Sequence, residues 1–129
     1  MSDLRKVEKN LRDRGYTVRT FATAAEAAAY LDTSIDGGSV GFGGSATLKT
    51  MGVYEKLASH NTVHWHWVGG PQERLAAMQA DVYLSSVNAL AETGEMVNID
   101  GVGNRVASTL FGHQKVYLVV GRNKLTATY

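Results

Sequence analysis

Apolar positions along the chain switch repeatedly between two periods. Leu4, Val7 and Leu11 repeat at helical spacing, and Gly15 follows as a stop. Residues 16–21 alternate Tyr, Val and Thr types and predict a strand. The alanine-rich segment 23–31 predicts a helix with Thr23 as N-cap and Glu26 at the capping-box position. A short apolar strand is expected over 39–42. Gly43-Gly44-Ser45 breaks it, and 46–59 predict one helix with Leu48, Met51, Tyr54 and Leu57 roughly on one face. Next, 62–68 predict a strand, Gly69-Gly70-Pro71 a turn, and 73–79 a helix whose first position suits Pro71. Residues 82–84 predict another strand, and 87–91 with 96–99 two arms of a hairpin around Thr93-Gly94. A short helix over 104–111, closed by Gly112, and a buried strand over 115–120 complete the pattern.

Strands alternating with helices predict an α/β fold with a mostly parallel sheet flanked by helices. No repeat, linker or low-complexity stretch interrupts it, so residues 1–129 read as a single domain. That length can bury a core without covalent staples. Residues 124–129 follow directly on the last expected strand, where an α/β domain normally adds a covering helix. The C-terminus therefore reads as incomplete. The uncovered apolar surface predicts pairing with a second copy or a partner.

Composition narrows the function classes. Hydrophobic residues at 44% and charged residues at 19% are ordinary for a soluble globular protein. A net charge of +1, with no basic patch or recognisable DNA-reading helix, gives no reason to expect nucleic acid or an acidic membrane. The absence of cysteine excludes disulfides, thiolate metal sites, a cysteine-ligated Fe–S cluster on this chain and a cysteine nucleophile. Residues 1–14 are charged throughout and do not form a signal peptide. The longest apolar runs, such as 116–120, are too short to span a bilayer. Nothing points outside the cell, so a cytoplasmic location is expected.

Three places carry candidate chemistry. The first is the segment 41–49, which sets Gly43, Gly44, Ser45 and Thr47 between a strand and a helix start. Free backbone N–H groups there can cradle an anion. The segment matches neither G-x-x-x-x-G-K-[ST] nor a clean G-x-G-x-x-G, so neither ATP nor a dinucleotide is specifically indicated. A tight turn capped by Ser45 fits equally well. Lys49 in the helix's first turn opposes the helix dipole by roughly 0.3–1 kcal/mol. Arg105 does the same after Gly101-Val102-Gly103-Asn104. Two glycine loops, each followed by such a cation, fit two edges of an anion pocket. The plainer alternative is that both cations lean into solvent.

The second place is the hairpin. Asn98 and Asp100 share one strand face, Asn88 lies on the opposing arm, and Glu92 and Glu95 flank the turn. Such a group can orient substrate hydroxyls or supply a carboxylate base or nucleophile, with Asp100 and Glu92 the candidates. Glu92 and Glu95 fit solvated turn residues better, whereas Asn88, Asn98 and Asp100 fit a site or its scaffold. The third place is His64-Trp65-His66-Trp67. An i, i+2 histidine pair on one strand face can bind zinc with a third ligand from elsewhere, such as His60 or His113. A polar face opposite two core-facing tryptophans explains the alternation too, and no metal is expected.

Three blocks together resemble a known family. They are Val40-Gly-Phe-Gly-Gly-Ser-Ala-Thr-Leu-Lys49, the run from Ala80 to Arg105, and Val119-Val-Gly-Arg-Asn-Lys124. The middle block reads Ala-Asp-Val-Tyr-Leu-Ser-Ser-Val-Asn-Ala-Leu-Ala-Glu-Thr-Gly-Glu-Met-Val-Asn-Ile-Asp-Gly-Val-Gly-Asn-Arg. All three resemble the lactate-utilisation (LUD) domain, in particular its LutC/YkgG-type members, over residues 17–124. The resemblance implies a fold like that of the NagB/RpiA/CoA-transferase group. It implies a non-redox subunit of a cytoplasmic system oxidising L-lactate to pyruvate, with Fe–S clusters carried by a partner and no cofactor in this chain. It supplies no established catalytic residue. Some relatives carry a further cysteine-bearing C-terminal segment that is missing here.

A looser resemblance to the related isomerases places Asn88 at their catalytic Asp, with Gly94 and Asn98 in matching positions. An amide cannot act as a general base. That chemistry is therefore lost, or moved to Asp100 or Glu92. Glu92-Thr93-Gly94 faintly echoes the nucleophilic Glu of CoA-transferases.

Two functions compete on this footing. One is a subunit that binds a small carboxylate or phosphate, or a partner protein, through Gly43, Gly44, Ser45, Thr47, Lys49, Asn88, Asn98, Asp100, Gly101, Gly103, Asn104 and Arg105. The other is a stand-alone CoA-transferase-like or sugar-phosphate-isomerase-like enzyme. A ligand-sensing module is a third, weaker reading.

Overall fold

Val40 and Phe42 alternate with Gly41 along a four-residue strand, and that alternation organises the molecule. The computed structural model describes residues 4–98 and 113–126. Strand β1 (Ser39–Phe42) lies between β2 (Thr62–Trp65) and β3 (Val82–Ser85), and β6 (Lys115–Leu118) pairs with the far side of β3. All three pairings are parallel, giving the order β2-β1-β3-β6. The fold is α/β with a mostly parallel sheet flanked by helices, as the alternation of periods predicts.

One face of this sheet carries the main core. Helices α2 (Ala24–Ser34), α3 (Ala46–Met51) and α4 (Val53–Ala58) cover it. Leu31, Ile35, Leu48, Val53 and Leu57 pack there with Val40, Phe42, Trp65 and Leu84. Each such side chain contributes about 1.5–3 kcal/mol when fully removed from water. Thr23 caps α2 as expected, its hydroxyl accepting from Glu26 N at 3.2 Å.

The opposite face is set by Gly41. A Cβ there would lie 2.4 Å from the carbonyl oxygen of Ala77, so only glycine lets helix α6 (Glu73–Met78) approach this closely. His64, register partner of Gly41, is hydrogen-bonded through Nδ1 to Glu73 Oε2 at 2.7 Å, tying β2 to the start of α6.

A second, smaller core lies under α1 (Leu4–Asp13), whose Val7 and Leu11 pack on Val87 and Leu90. Beneath it a three-stranded sheet runs in the order β5-β4-β7. It comprises β4 (Ala89–Ala91), β5 (Met96–Val97) and β7 (Leu125–Thr126). β4 and β5 form the expected hairpin, turning at Gly94 with φ 104°.

Several elements differ from the sequence expectation. Residues 16–21 form no strand. Their one inward residue, Val18, packs under α1, and its carbonyl accepts from the Arg12 guanidinium at 3.2 Å instead of a sheet partner. The helix expected over 46–59 is two helices, because Gly52 enters the left-handed region (φ 70°) and ends α3. The strand expected over 62–68 stops at Trp65, and a single turn of helix, α5 (His66–Gly69), follows. Pro71 sits in the turn before α6, not at its first position. The strand expected over 115–120 ends at Leu118. Beyond it, a 3-10 turn (Arg122–Lys124) leads to β7, which pairs with β4, where the sequence offered no further strand. The expected helix over 104–111 and the Gly112 stop lie outside the described residues, as does Ile99 of the second hairpin arm.

Candidate functional site

Every strand of the main sheet points its carboxyl end the same way, and Gly43, Gly44, Ser45 and Asn88 follow that edge. In open parallel sheets, ligands bind outside the carboxyl ends where successive connections leave in opposite directions. Here that point is the gap between β1 and β3. From β1 the chain passes to β2 on one side, and β3 with β6 lies on the other. After β1 come Gly43, Gly44 and Ser45, and after β3 come Ser86, Val87 and Asn88. The two loops are joined at their base, where Gly43 N donates to Leu84 O at 2.9 Å.

The first loop does two jobs at once. Ser45 is buried, and its hydroxyl accepts from Leu48 N at 3.2 Å, so it caps α3 as the plainer reading holds. Capping uses only the acceptor side of this hydroxyl, which keeps its O–H as a donor. Thr47 is half-buried on the same short helix. Lys49 is exposed. Because α3 has only six residues, Lys49 already stands in its last turn, where a cation suits the helix dipole. The expected first-turn conflict is therefore absent. The glycines of this segment admit protein neighbours. Gly41 admits α6, and Gly44 admits the Trp67 ring, whose Cζ2 would lie 3.1 Å from a Cβ there.

The hairpin brings Asn88 and Asn98 to one end. Asn88 N donates to Val97 O at 2.9 Å, and both asparagines are exposed. Glu92 departs from the expected solvated turn residue, since only 8% of its surface is accessible. α1 covers this turn. Asn10 Nδ2 donates to Glu92 O at 2.6 Å, and the Arg14 guanidinium donates to Thr93 O at 2.9 Å. Glu95 is half-buried, accepts from the Thr93 hydroxyl and pairs with Arg14 at 3.6 Å. The Thr93 hydrogen bond, with help from backbone and Arg14, holds the Glu95 carboxyl below its ordinary value. Asp100, Gly101, Gly103, Asn104 and Arg105 lie outside the described residues, so the second glycine loop is not placed.

The histidine-tryptophan run also differs from expectation. His66 stands on α5, so it shares no strand face with His64. Trp65 is buried, with Nε1 donating to Gly43 O at 3.1 Å, but Trp67 is 47% exposed. Among the described residues, no cluster of three or more His, Asp or Glu side chains is arranged to hold a metal ion. Nor, among them, is any helix long and apolar enough to cross a membrane.

Sequence reasoning passed over three residues at this edge. Ser85 and Ser86 are buried polar groups at the end of β3, and Trp67 overhangs the first loop. The serines carried a signal, since two hydroxyls in succession closing an apolar strand are unusual in a core. Trp67 was hidden because strict alternation grouped it with Trp65.

The family model of the LUD domain matches residues 4–129. The chain belongs to the LUD-domain family. No curated protein and no solved structure matches it. The LUD domain here thus comprises both sheets, α1 included, and the edge just described falls wholly inside it.

Proposed function

We propose that this LUD domain is a non-redox, cytoplasmic subunit of a system oxidising L-lactate to pyruvate, of the LutC/YkgG type. In this reading it binds a small carboxylate or phosphate at the carboxyl edge of its main sheet. Electrons pass through Fe–S clusters of a partner, since this chain has no cysteine to hold one. The observation that carries the reading is the family match over 4–129, taken with loops from two adjacent strands meeting at the switch point. Gly43, Gly44 and Ser45 line the site from the first loop, the Gly43 N–H itself being held by Leu84 O, Thr47 and Lys49 flank them, and Asn88 and Asn98 close the side toward the hairpin. Asp100, Gly101, Gly103, Asn104 and Arg105 complete the proposed contacts from the second loop. Their role is polar anchoring, not bond-making.

Co-expression with the proteins encoded beside it, followed by affinity purification, tests the assembly. An Fe–S protein should co-purify. Calorimetric titration with pyruvate, L-lactate and inorganic phosphate tests the site, and Lys49→Glu or Arg105→Glu should weaken the binding. Absence of both co-purification and anion binding would sink the proposal.

The alternative, a stand-alone acyl- or proton-transferring enzyme, meets a steric objection at one of its candidates. Glu92 is buried beneath α1, so an acyl-CoA reaches it only if α1 moves. Asp100 remains the better candidate base, and turnover lost in Asp100→Asn would support that reading.

A further inference from the structure

The aromatic side chains at the carboxyl ends of β1 and β2 form a graded stack that ends in the open. Phe42 and Trp65 lie 4.9 Å apart by ring centres, and Tyr54 and Trp65 5.7 Å apart, all within or against the main core. Trp65 is fixed further by its hydrogen bond to Gly43 O. On Trp65 rests Trp67, nearly parallel at 20° with ring centres 5.4 Å apart. Gly44 fits against the edge of the Trp67 ring, where a Cβ would lie 3.2 Å from Nε1. One face of this indole is therefore covered and its edge is seated, yet 47% of the residue is accessible. Over the ring stands Lys49, its ammonium 5.9 Å from the ring centre.

A large indole backed by a buried one, half exposed and with only a flexible lysine over it, is a preorganised platform. Stacking a second ring on it immobilises little that is not already fixed. The ammonium adds a preference for negative charge close to that ring. We infer that Trp67 and Lys49 form a binding site for a planar aromatic ligand bearing an anionic group, at the mouth of the Gly43–Gly44 loop. The inference deepens the anion reading above and rests on the same loop, but it assigns the ring-binding part to a residue outside that set.

The test pairs anionic rings with neutral analogues: FMN with riboflavin, AMP with adenosine, benzoate with benzamide. Affinities are measured by calorimetry, and the indole N–H resonance of Trp67 is followed by NMR. At least one anionic ring should bind saturably and shift that resonance. Trp67→Ala should weaken it about tenfold, the loss expected for one stacking contact, whereas Trp67→Phe should hold it within about threefold. Lys49→Gln should weaken the anionic member of a pair and leave its neutral analogue unchanged. Unchanged thermal unfolding of Trp67→Phe guards against a folding artefact. Failure of all three anionic rings to bind, or equal affinity in Trp67→Ala, overturns the platform. Pyruvate binding by the unaltered protein, with none of the anionic rings bound, leaves the anion site standing while the platform falls. Aromatic binding without pyruvate, lactate or phosphate binding does the reverse.

Discussion

Placing a methyl group on Gly41 tests the packing on which the carboxyl edge depends. The added Cβ would lie 2.4 Å from Ala77 O, 2.8 Å from Ala77 Cα and 2.9 Å from Ala77 C. All three are backbone atoms of α6, so no side chain can rotate out of the way. Real Cβ atoms essentially never come within 3.0 Å of a neighbour, so α6 must retreat by at least about 0.6 Å. β1 cannot yield in its place, because parallel ladders to β2 and β3 hold it on both sides. The retreat opens the packing around Ala77 and Ala80, both buried at 3% exposure, and strains the His64–Glu73 tie. Overpacking of this kind costs about 1–3 kcal/mol, and the unyielding neighbours put Gly41→Ala near the upper end. For a domain this size that lowers Tm by roughly 10 °C. Gly38→Ala is the control, since a Cβ there meets nothing within 4 Å and the residue has no positive φ. It should fall within about 0.5 kcal/mol of the parent or slightly above it. Urea unfolding monitored by tryptophan fluorescence measures both. A loss below about 1 kcal/mol for Gly41→Ala, or equal losses in the two variants, would refute the close approach of α6.

Two further expectations come from side chains with plain partners. His60 faces Asp32 through Nε2 and Asp36 through Nδ1, both at 2.7 Å, and these hydrogen bonds, Asp32 first, raise its pKa above the ordinary 6.5. Its stabilising effect is thus complete below 6.5 and is lost as pH rises through the raised folded value; His60→Gln should flatten that part of the Tm-against-pH curve, and an unchanged curve would contradict the clamp. Ser45→Ala removes the cap on Leu48 N and should cost about 1 kcal/mol in urea unfolding, with Ser45→Asp restoring most of it; a neutral Ser45→Ala would show that the cap contributes nothing.

Legibility in the sequence follows how locally each feature is determined. β1 was readable because a short run holding Val40 and Phe42 is bounded by glycines, and α2 because its cap and first turn are adjacent in sequence. The division of 46–59 was not readable. Leu48, Met51, Tyr54 and Leu57 continue through Gly52 at helical spacing, and only the backbone geometry there reveals the break. Residues 16–21 have strand-like composition, but a strand requires a neighbour's edge. Here the edge of β4 is taken by β7, a two-residue strand far along the chain. The same reasoning separates the readable part of the site from the rest. Gly43, Gly44, Ser45 and Asn88 could be placed at the carboxyl edge because strand ends and breaker residues mark it directly. Glu92 and Trp67 were misjudged in opposite directions, since burial depends on what lies above. α1, joined to the hairpin only through tertiary contacts, covers the glutamate. The single turn of α5 rotates the second tryptophan away from the core that claims the first. A pattern of period two cannot distinguish Trp65 from Trp67. The break in that period at His66 does so, and it creates the exposed indole beside Lys49.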